Sequence, residues 1–226
     1  MTTVLLVRHG RTTANATGLL AGRTPGIHLD ERGREQVERL GGCLAALPID
    51  AVVSSPLERT METSEALLVG AKGTRPLHLE EGLIECGYGD WTGHELKVLA
   101  KDPLWKIVQS QPSAVKFPGD EGEPMLTMQH RAVAAIRRWN VSLGPRSMYV
   151  AVSHGDVIKA ILADALGMHL DQFQRIHVDP ASVSVVNYSD SGTSVFRMND
   201  STADLSALVR PSRRKSKSAP VGGGAG

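Results

Sequence analysis

Aromatic residues are scarce, making up 4% of the 226-residue chain. That leaves few rings for the stacking platforms on which single-stranded nucleic acids lie. Cysteine is nearly absent as well. Cys43 and Cys86 have no CxxC spacing, so neither a disulfide scaffold nor a zinc site is indicated. No apolar run approaches the roughly 20 residues that cross a bilayer. The one early run, Val4 to Val7, is cut by Arg8, His9 and Arg11 and does not read as a signal peptide; a cytoplasmic protein is expected. The GxGxxG pattern is missing after this run, as is GxxxxGK followed by Ser or Thr. Neither NAD nor ATP is indicated, and no cofactor is expected.

Acidic charge is lacking at one end. Arg210, Arg213, Arg214, Lys215 and Lys217 follow Val209 without a single carboxylate. Removing those five from the 25 Lys and Arg leaves 20 against 24 acids, so residues 1–209 carry about −4 although the whole chain carries +1. Residues 210–226 therefore read as a disordered, basic, Gly-rich tail. With 41% hydrophobic and 22% charged residues, the remainder has the make-up of a soluble domain that buries a full-sized core. No repeat or linker divides it. The expected organisation is one domain over 1–209 with an insertion at about 94–123.

What is present begins with VLLVRHGRTTAN, Val4 to Asn15. Four apolar residues predict a buried strand, which ends on a cation, an imidazole and a glycine that allows the turn. Open α/β sheets build anion sites at such strand ends. Asp30 is expected to cap a helix to about Ala46, with Val37, Leu40, Leu44 and Leu47 inward. Ala51 to Val53 predicts a second strand. After it, Ser55 reads as an N-cap, Pro56 as the first helical residue and Glu58 as the partner in a capping box. The helix should run to about Val69 on Leu57, Met61 and Leu68. Arg59, in its first turn, is either a surface ion pair or a donor aimed at an anion.

Leu77 to Leu79 predicts a third strand. Glu85 follows within LIECGYGDWTG, residues 83–93, either exposed on a glycine-rich turn or enclosed with a raised pKa suited to a general acid. Short helices are expected at Glu95–Ala100 and Pro103–Val108, and a long one from Pro124 to about Val141, where Met125, Met128 and Trp139 read as core. Ser147 to Val152 predicts another strand, and SHGDVIKAILADALG a strand-to-helix junction with His154 at the join. Val183 to Val186 and Thr193 to Arg197 read as a hairpin, and Asp200–Leu208 as a last short helix.

If the strands are parallel, Arg8, His9, Arg59 and His154 converge outside their C-terminal ends. Two arginines and an imidazolium suit a tetrahedral dianion, and a neutral imidazole is a competent nucleophile. Glu85 is the carboxylate placed to protonate a leaving alkoxide. A metal on His9, His154 and Asp156 is the rival use; HExxH is absent, and adjacent guanidiniums oppose a dication. Asp156 also suits the first turn of a helix. Arg23, His28 and His94 lie in loops within reach of a cleft, and Arg23 is carried as a substrate-side candidate with Gly155. His177 reads as a structural or surface group, and substrate choice is expected around Arg23, His28, Lys97 and Lys116.

LVRHGRTTAN, SSPLERTMET, LIECGYGDWTG and SHGDVI, in this order over residues 6–158, resemble the four motifs of the histidine phosphatase superfamily, the branch also called phosphoglycerate-mutase-like. The likeness extends to about residue 198, and 103–122 and 154–186 look similar to actinobacterial proteins labelled as phosphomutases. The resemblance implies an α/β fold: a three-layer, doubly wound, mostly parallel sheet with helices on both faces and a small inserted cap. It implies His9 as the nucleophile that becomes phosphohistidine, Arg8, Arg59 and His154 as phosphoryl ligands, and Glu85 as acid and then base. It adds Asn15 to the phosphate pocket and Tyr88 to the substrate side, with no metal. A phosphomonoesterase acting on a small phosphorylated metabolite is expected. A 2,3-bisphosphoglycerate-dependent mutase and a non-catalytic phosphate-binding protein are the alternatives. Against the mutase, the insertion holds Lys97, Lys101, Lys106 and Lys116 but no arginine, and the third place of His154–Gly155–Asp156 is not the mutases' asparagine. Neither a membrane nor a specific nucleic acid is an expected partner; a homodimer is compatible with the resemblance.

Overall fold

Strand β1 (Thr2–Arg8) is buried throughout until its last residue, and its alternating side chains serve two different cores. Val4 and Leu6 join one apolar cluster, while Leu5 and Val7 join the other. That period of two fixes the layering. The computed structural model describes residues 1–69 and 75–202. The basic tail at 210–226 and all but the first residues of the helix expected at Asp200–Leu208 lie outside them. Asp200 itself closes a strand.

Beside β1, the sheet contains β2 (Ala51–Ser54), β3 (Leu77–Leu79), β4 (Met148–Ser153), β5 (Val183–Ser189) and β6 (Gly192–Asp200), in the order β3-β2-β4-β1-β5-β6. The first four of that order are parallel; β5 and β6 run antiparallel as the expected hairpin. Helices α2 (Glu31–Leu44) and α3 (Glu58–Leu68) bring Leu40, Leu44 and Leu67 to one face. Helices α6 (Met125–Leu143) and α7 (Gly155–Ala165) bring Met128, Ile136, Ile158 and Ile161 to the other. The result is an α/β fold of three layers with a largely parallel, mixed sheet.

Short helices complete the chain: α1 (Thr13–Thr17), α4 (Leu96–Leu99) and α5 (Pro103–Ser110). Asp30 caps α2 as expected, its carboxylate accepting from Gly33 N–H at 2.7 Å. Met125 and Met128 are fully buried, while Trp139 is partly buried and donates its indole N–H to Glu80 at 3.0 Å.

Two local expectations are corrected. Ser55 does not cap α3: the N-cap is Leu57, without a side-chain bond, and Arg59 is the second helical residue. The Ser55 hydroxyl instead contacts His154 Nε2 at 2.8 Å, and Glu58 accepts from Gly26 N–H at 2.9 Å. Each side chain finds a tertiary partner that displaces the capping box. The buried face of α3 is also not Leu57, Met61 and Leu68, which are half-buried, but Arg59, Thr60, Thr63, Ser64 and Leu67. The hydroxyls stay inside because they bond to backbone: Thr63 to Arg59 O at 2.7 Å and Ser64 to Thr60 O at 2.8 Å.

Candidate active site

Parallel pairing aligns the ends of β1, β4 and β2, with Arg8 opposite Ser153 and Ser54 opposite Val152. His9 therefore leaves β1 beside His154, which leaves β4, their ring centroids 5.3 Å apart. Gly10 is needed for close approach: a Cβ there would lie 2.7 Å from Gly33 O and 2.8 Å from Val37 Cγ1. Its backbone is not left-handed, so turn geometry is not what requires glycine. Its N–H is held by Thr63 Oγ1 at 3.1 Å, one use of the hydroxyl face of α3.

His9 is 3% exposed. Its Nδ1 lies 2.7 Å from Gly10 O, a contact only a protonated Nδ1 can make, so the lone pair sits on Nε2. Burial, then the charges of Arg59 and Arg8, hold its pKa well below the ordinary imidazole value. His154 is fully buried and lowered for the same first reason, with Arg59, His9 and Arg8 following. These causes favour the neutral form of both rings over the imidazolium. In the tautomer in which Ser55 O–H donates to His154 Nε2, Nδ1 carries the hydrogen.

Three buried nitrogens around His9 have no partner: Arg8 Nε, Arg59 Nη1 and His154 Nδ1. One further nitrogen of each guanidinium is held, Arg8 Nη1 by Val178 O at 2.6 Å and Arg59 Nη2 by Gly22 O at 2.7 Å. Such donors are costly to leave unmet inside a protein. Fixed donors of this kind beside a neutral imidazole form a receptor for a tetrahedral oxyanion.

Glu85 is 8% exposed and lines the same cavity, whose volume is about 430 Å³. Burial, with the Asp156 charge added and Arg59 opposing, raises its pKa to about 7. Its carbonyl is clamped from behind by Arg23 Nε at 2.8 Å and Arg131 Nη2 at 3.0 Å. Glu123 pairs with both guanidiniums, at 2.8 Å and 2.7 Å. Arg23 thus holds the backbone under Glu85 and is not among the cavity-lining residues.

Asn15, Tyr88 and Gly155 do line the cavity. Asn15 Oδ1 accepts from Thr12 N–H at 3.1 Å in a capping box of α1. Burial and Asp156 raise the Tyr88 phenol well above its usual value, and it donates to Asp156 Oδ2 at 2.9 Å. Asp156 sits in the first turn of α7, as anticipated. His28 pairs with Glu62, and neither it nor His94, Lys97 or Lys116 lines the cavity. Polar lining residues not foreseen include Gln109, Lys159, Gln174, His177 and Asp179. Lys159 and Gln174 fall where helical period explains a polar residue without any site, and His177 and Asp179 sit in a loop without pattern. Among the described residues, no group of three or more His, Cys, Asp or Glu is arranged to hold a metal ion, and no helix is long and apolar enough to cross a membrane.

A sheet of this topology with paired histidines and guanidiniums at its parallel strand ends defines a class, and the chain belongs to it. Residues 4–201 match the histidine phosphatase superfamily (branch 1), so this is an enzyme of the phosphatase class working through an active-site histidine. Among its relatives is phosphoserine phosphatase 1 of Hydrogenobacter thermophilus, 29% identical over 206 residues, covering 88% of this chain and 92% of that protein. A bifunctional protein of Mycobacterium tuberculosis is 32% identical over 209 residues, covering 90% of this chain; the chain spans only 55% of that protein. YhfR of Bacillus stearothermophilus superimposes with a TM-score of 0.80 at 27% identity, covering 88% of this chain and 98% of that one.

Proposed function

We propose that the protein hydrolyses a small phosphate monoester in two displacements on His9. The observation that carries this reading is the trio of unpartnered buried nitrogens, Arg8 Nε, Arg59 Nη1 and His154 Nδ1, beside an imidazole whose Nδ1 is engaged. In the first step His9 Nε2 attacks phosphorus, a P–N bond forms and the ester P–O bond breaks. Glu85 gives its proton to the departing oxygen, a role supported by a pKa of about 7. In the second, water attacks phosphorus, Glu85 takes a proton from it, and the P–N bond breaks to release phosphate and restore His9. Arg8, Arg59 and His154 bind the three equatorial oxygens, where charge is spread in the transition state. The guanidiniums supply the positive charge a metal would otherwise provide, so no metal is assigned. Asn15 and Tyr88 complete the pocket, while Arg23 is a positioning residue for Glu85.

Hydrolysis is favoured over mutase chemistry because the 94–123 segment offers no cation to the cavity; its lining residues there are Leu96, Trp105, Val108, Gln109 and Phe117. The 32% identity to mycobacterial proteins supports an actinobacterial kinship. Free Cys43 and Cys86 fit a cytoplasmic setting.

The test is hydrolysis of p-nitrophenyl phosphate with EDTA present, by the wild type and by His9→Ala, together with alkaline quenching to trap a base-stable phosphoenzyme. Expected are EDTA-resistant turnover, a loss of at least about 10³-fold in the variant, and label on His9. EDTA-sensitive activity, or undiminished activity in His9→Ala, overturns the proposal.

A further inference from the structure

We infer that the leaving-group side of the cavity selects an alcohol without net negative charge and with an apolar face, and rejects one that carries a carboxylate or second phosphate. The inference rests on the phosphomonoesterase reading and names the substrate class for that same site. The cations lining the cavity are Arg8, Arg59 and Lys159; the carboxylates are Glu85, Asp156 and Asp179. A bound phosphoryl dianion takes up the two guanidinium charges, and Glu85 enters the first step protonated. The remaining charged groups of the lining are Lys159, Asp156 and the exposed Asp179, a net charge of −1.

Lys159 is not free to serve a substrate anion. Its side chain is 13% exposed, and its ammonium donates to Gln174 Oε1 at 2.6 Å and to Asp156 Oδ1 at 3.3 Å. It also lies 4.2 Å from the centre of the Phe173 ring. Those three contacts use its donors and its charge within the wall. Asp156 is likewise shared with the Tyr88 hydroxyl, whereas Asp179, exposed at the cavity edge, accepts from the neutral Asn199 Nδ2 at 2.9 Å and so brings a carboxylate, not a cation, to the lining.

The opposite contribution comes from the 94–123 segment, whose lysines all stay outside: Lys97 is 81% exposed and pairs with Glu95, and Lys101, Lys106 and Lys116 are exposed. In their place the segment presents Leu96, Trp105, Val108 and Phe117, with Gln109 as its one polar member. An apolar wall facing a wall of hydrogen-bonding groups with net negative charge fits a ring or chain that is apolar on one face and hydroxylated on its edge.

A matched pair of ligands tests this: 4-carbamoylphenyl phosphate and 4-carboxyphenyl phosphate, equal in shape and different in charge. Calorimetric titration of each at pH 8, where an ordinary imidazole is neutral, into His9→Ala in a Glu85→Gln background, which holds that position uncharged as in the first step, reads affinity without chemistry. The amide ester is expected to bind at least about tenfold more tightly. Gln109→Lys, an exposed residue on the cavity rim, combined with His9→Ala and Glu85→Gln, should bring that preference below about threefold by strengthening the carboxylate. Equal affinities, or tighter binding of the carboxylate, overturn the inference. Absence of hydrolysis by the wild type would overturn the phosphomonoesterase reading alone, because the affinity comparison does not depend on turnover.

Discussion

Replacing Glu85 by glutamine should stabilise the protein above neutral pH while removing its proton donor. The side chain is 8% exposed, and Oε1 accepts from Cys86 N–H at 2.9 Å. Burial and the neighbouring Asp156 charge raise the pKa from 4.5 to about 7, with Arg59 opposing them. Between those two values the folded protein retains a proton that the unfolded chain has released. Because the folded state binds more protons there, stability declines as pH rises; the contribution is complete below 4.5 and lost above about 7. At about 1.4 kcal/mol for each tenfold change in proton affinity, the ionised carboxylate costs about 3 kcal/mol. Glutamine has nearly the same shape and never ionises. Glu85→Gln should therefore exceed the wild type by about 3 kcal/mol at pH 8 and by less than about 1 kcal/mol at pH 5. For a domain of this size the pH 8 difference raises the melting midpoint by about 6–12 °C. Urea transitions of both proteins at the two pH values measure it directly. A difference that does not change with pH, or a glutamine variant that is the weaker at pH 8, would refute the assignment of a buried carboxyl that keeps its proton.

The same group governs the rate profile. In the proposed mechanism the wild-type kcat should fall above a pH of about 7 as Glu85 loses the proton assigned to the leaving group, and the acid limb from His9 should lie below the ordinary imidazole range; a stopped pH series with an alkyl phosphate reads both. Ser55→Ala removes the partner of His154 Nε2, so the ring loses its fixed tautomer and Nδ1 its alignment. Expected are a fall in kcat of about 10–100-fold with a smaller change in KM, and a stability loss of about 1–3 kcal/mol in urea.

The layering of the fold was legible because strands at the middle of a parallel sheet are apolar on both faces. Val4 to Val7, Ala51 to Val53 and the run before His154 carry that mark, and Asp30 signals the start of α2 by chemistry confined to three residues. The core of the candidate site was legible for a related reason. Arg8, His9 and His154 interrupt buried runs, where charge and imidazole have no structural purpose of their own. Glu85 stood out among small and apolar neighbours, and enclosure has given it the raised pKa anticipated for it.

Elsewhere the local pattern misled. Ser55, Pro56 and Glu58 have every feature of a capping box, yet His154, 99 residues away, takes the serine and Gly26, 32 residues away, the glutamate. Substrate choice was expected around Lys97 and Lys116, whereas the lysine that lines the cavity among the described residues is Lys159 on α7. Arg23 looked like a ligand contact; it braces Glu85 with Arg131 and Glu123. By itself the sequence determined which apolar runs are buried and which chemically expensive residues stand at their ends, since those depend on near neighbours. Only the tertiary structure decided which hydroxyl meets His154, which guanidiniums brace Glu85, and which charges line the cavity. These are choices among partners far apart in the chain, settled by packing and by the cost of leaving a buried polar atom unpaired.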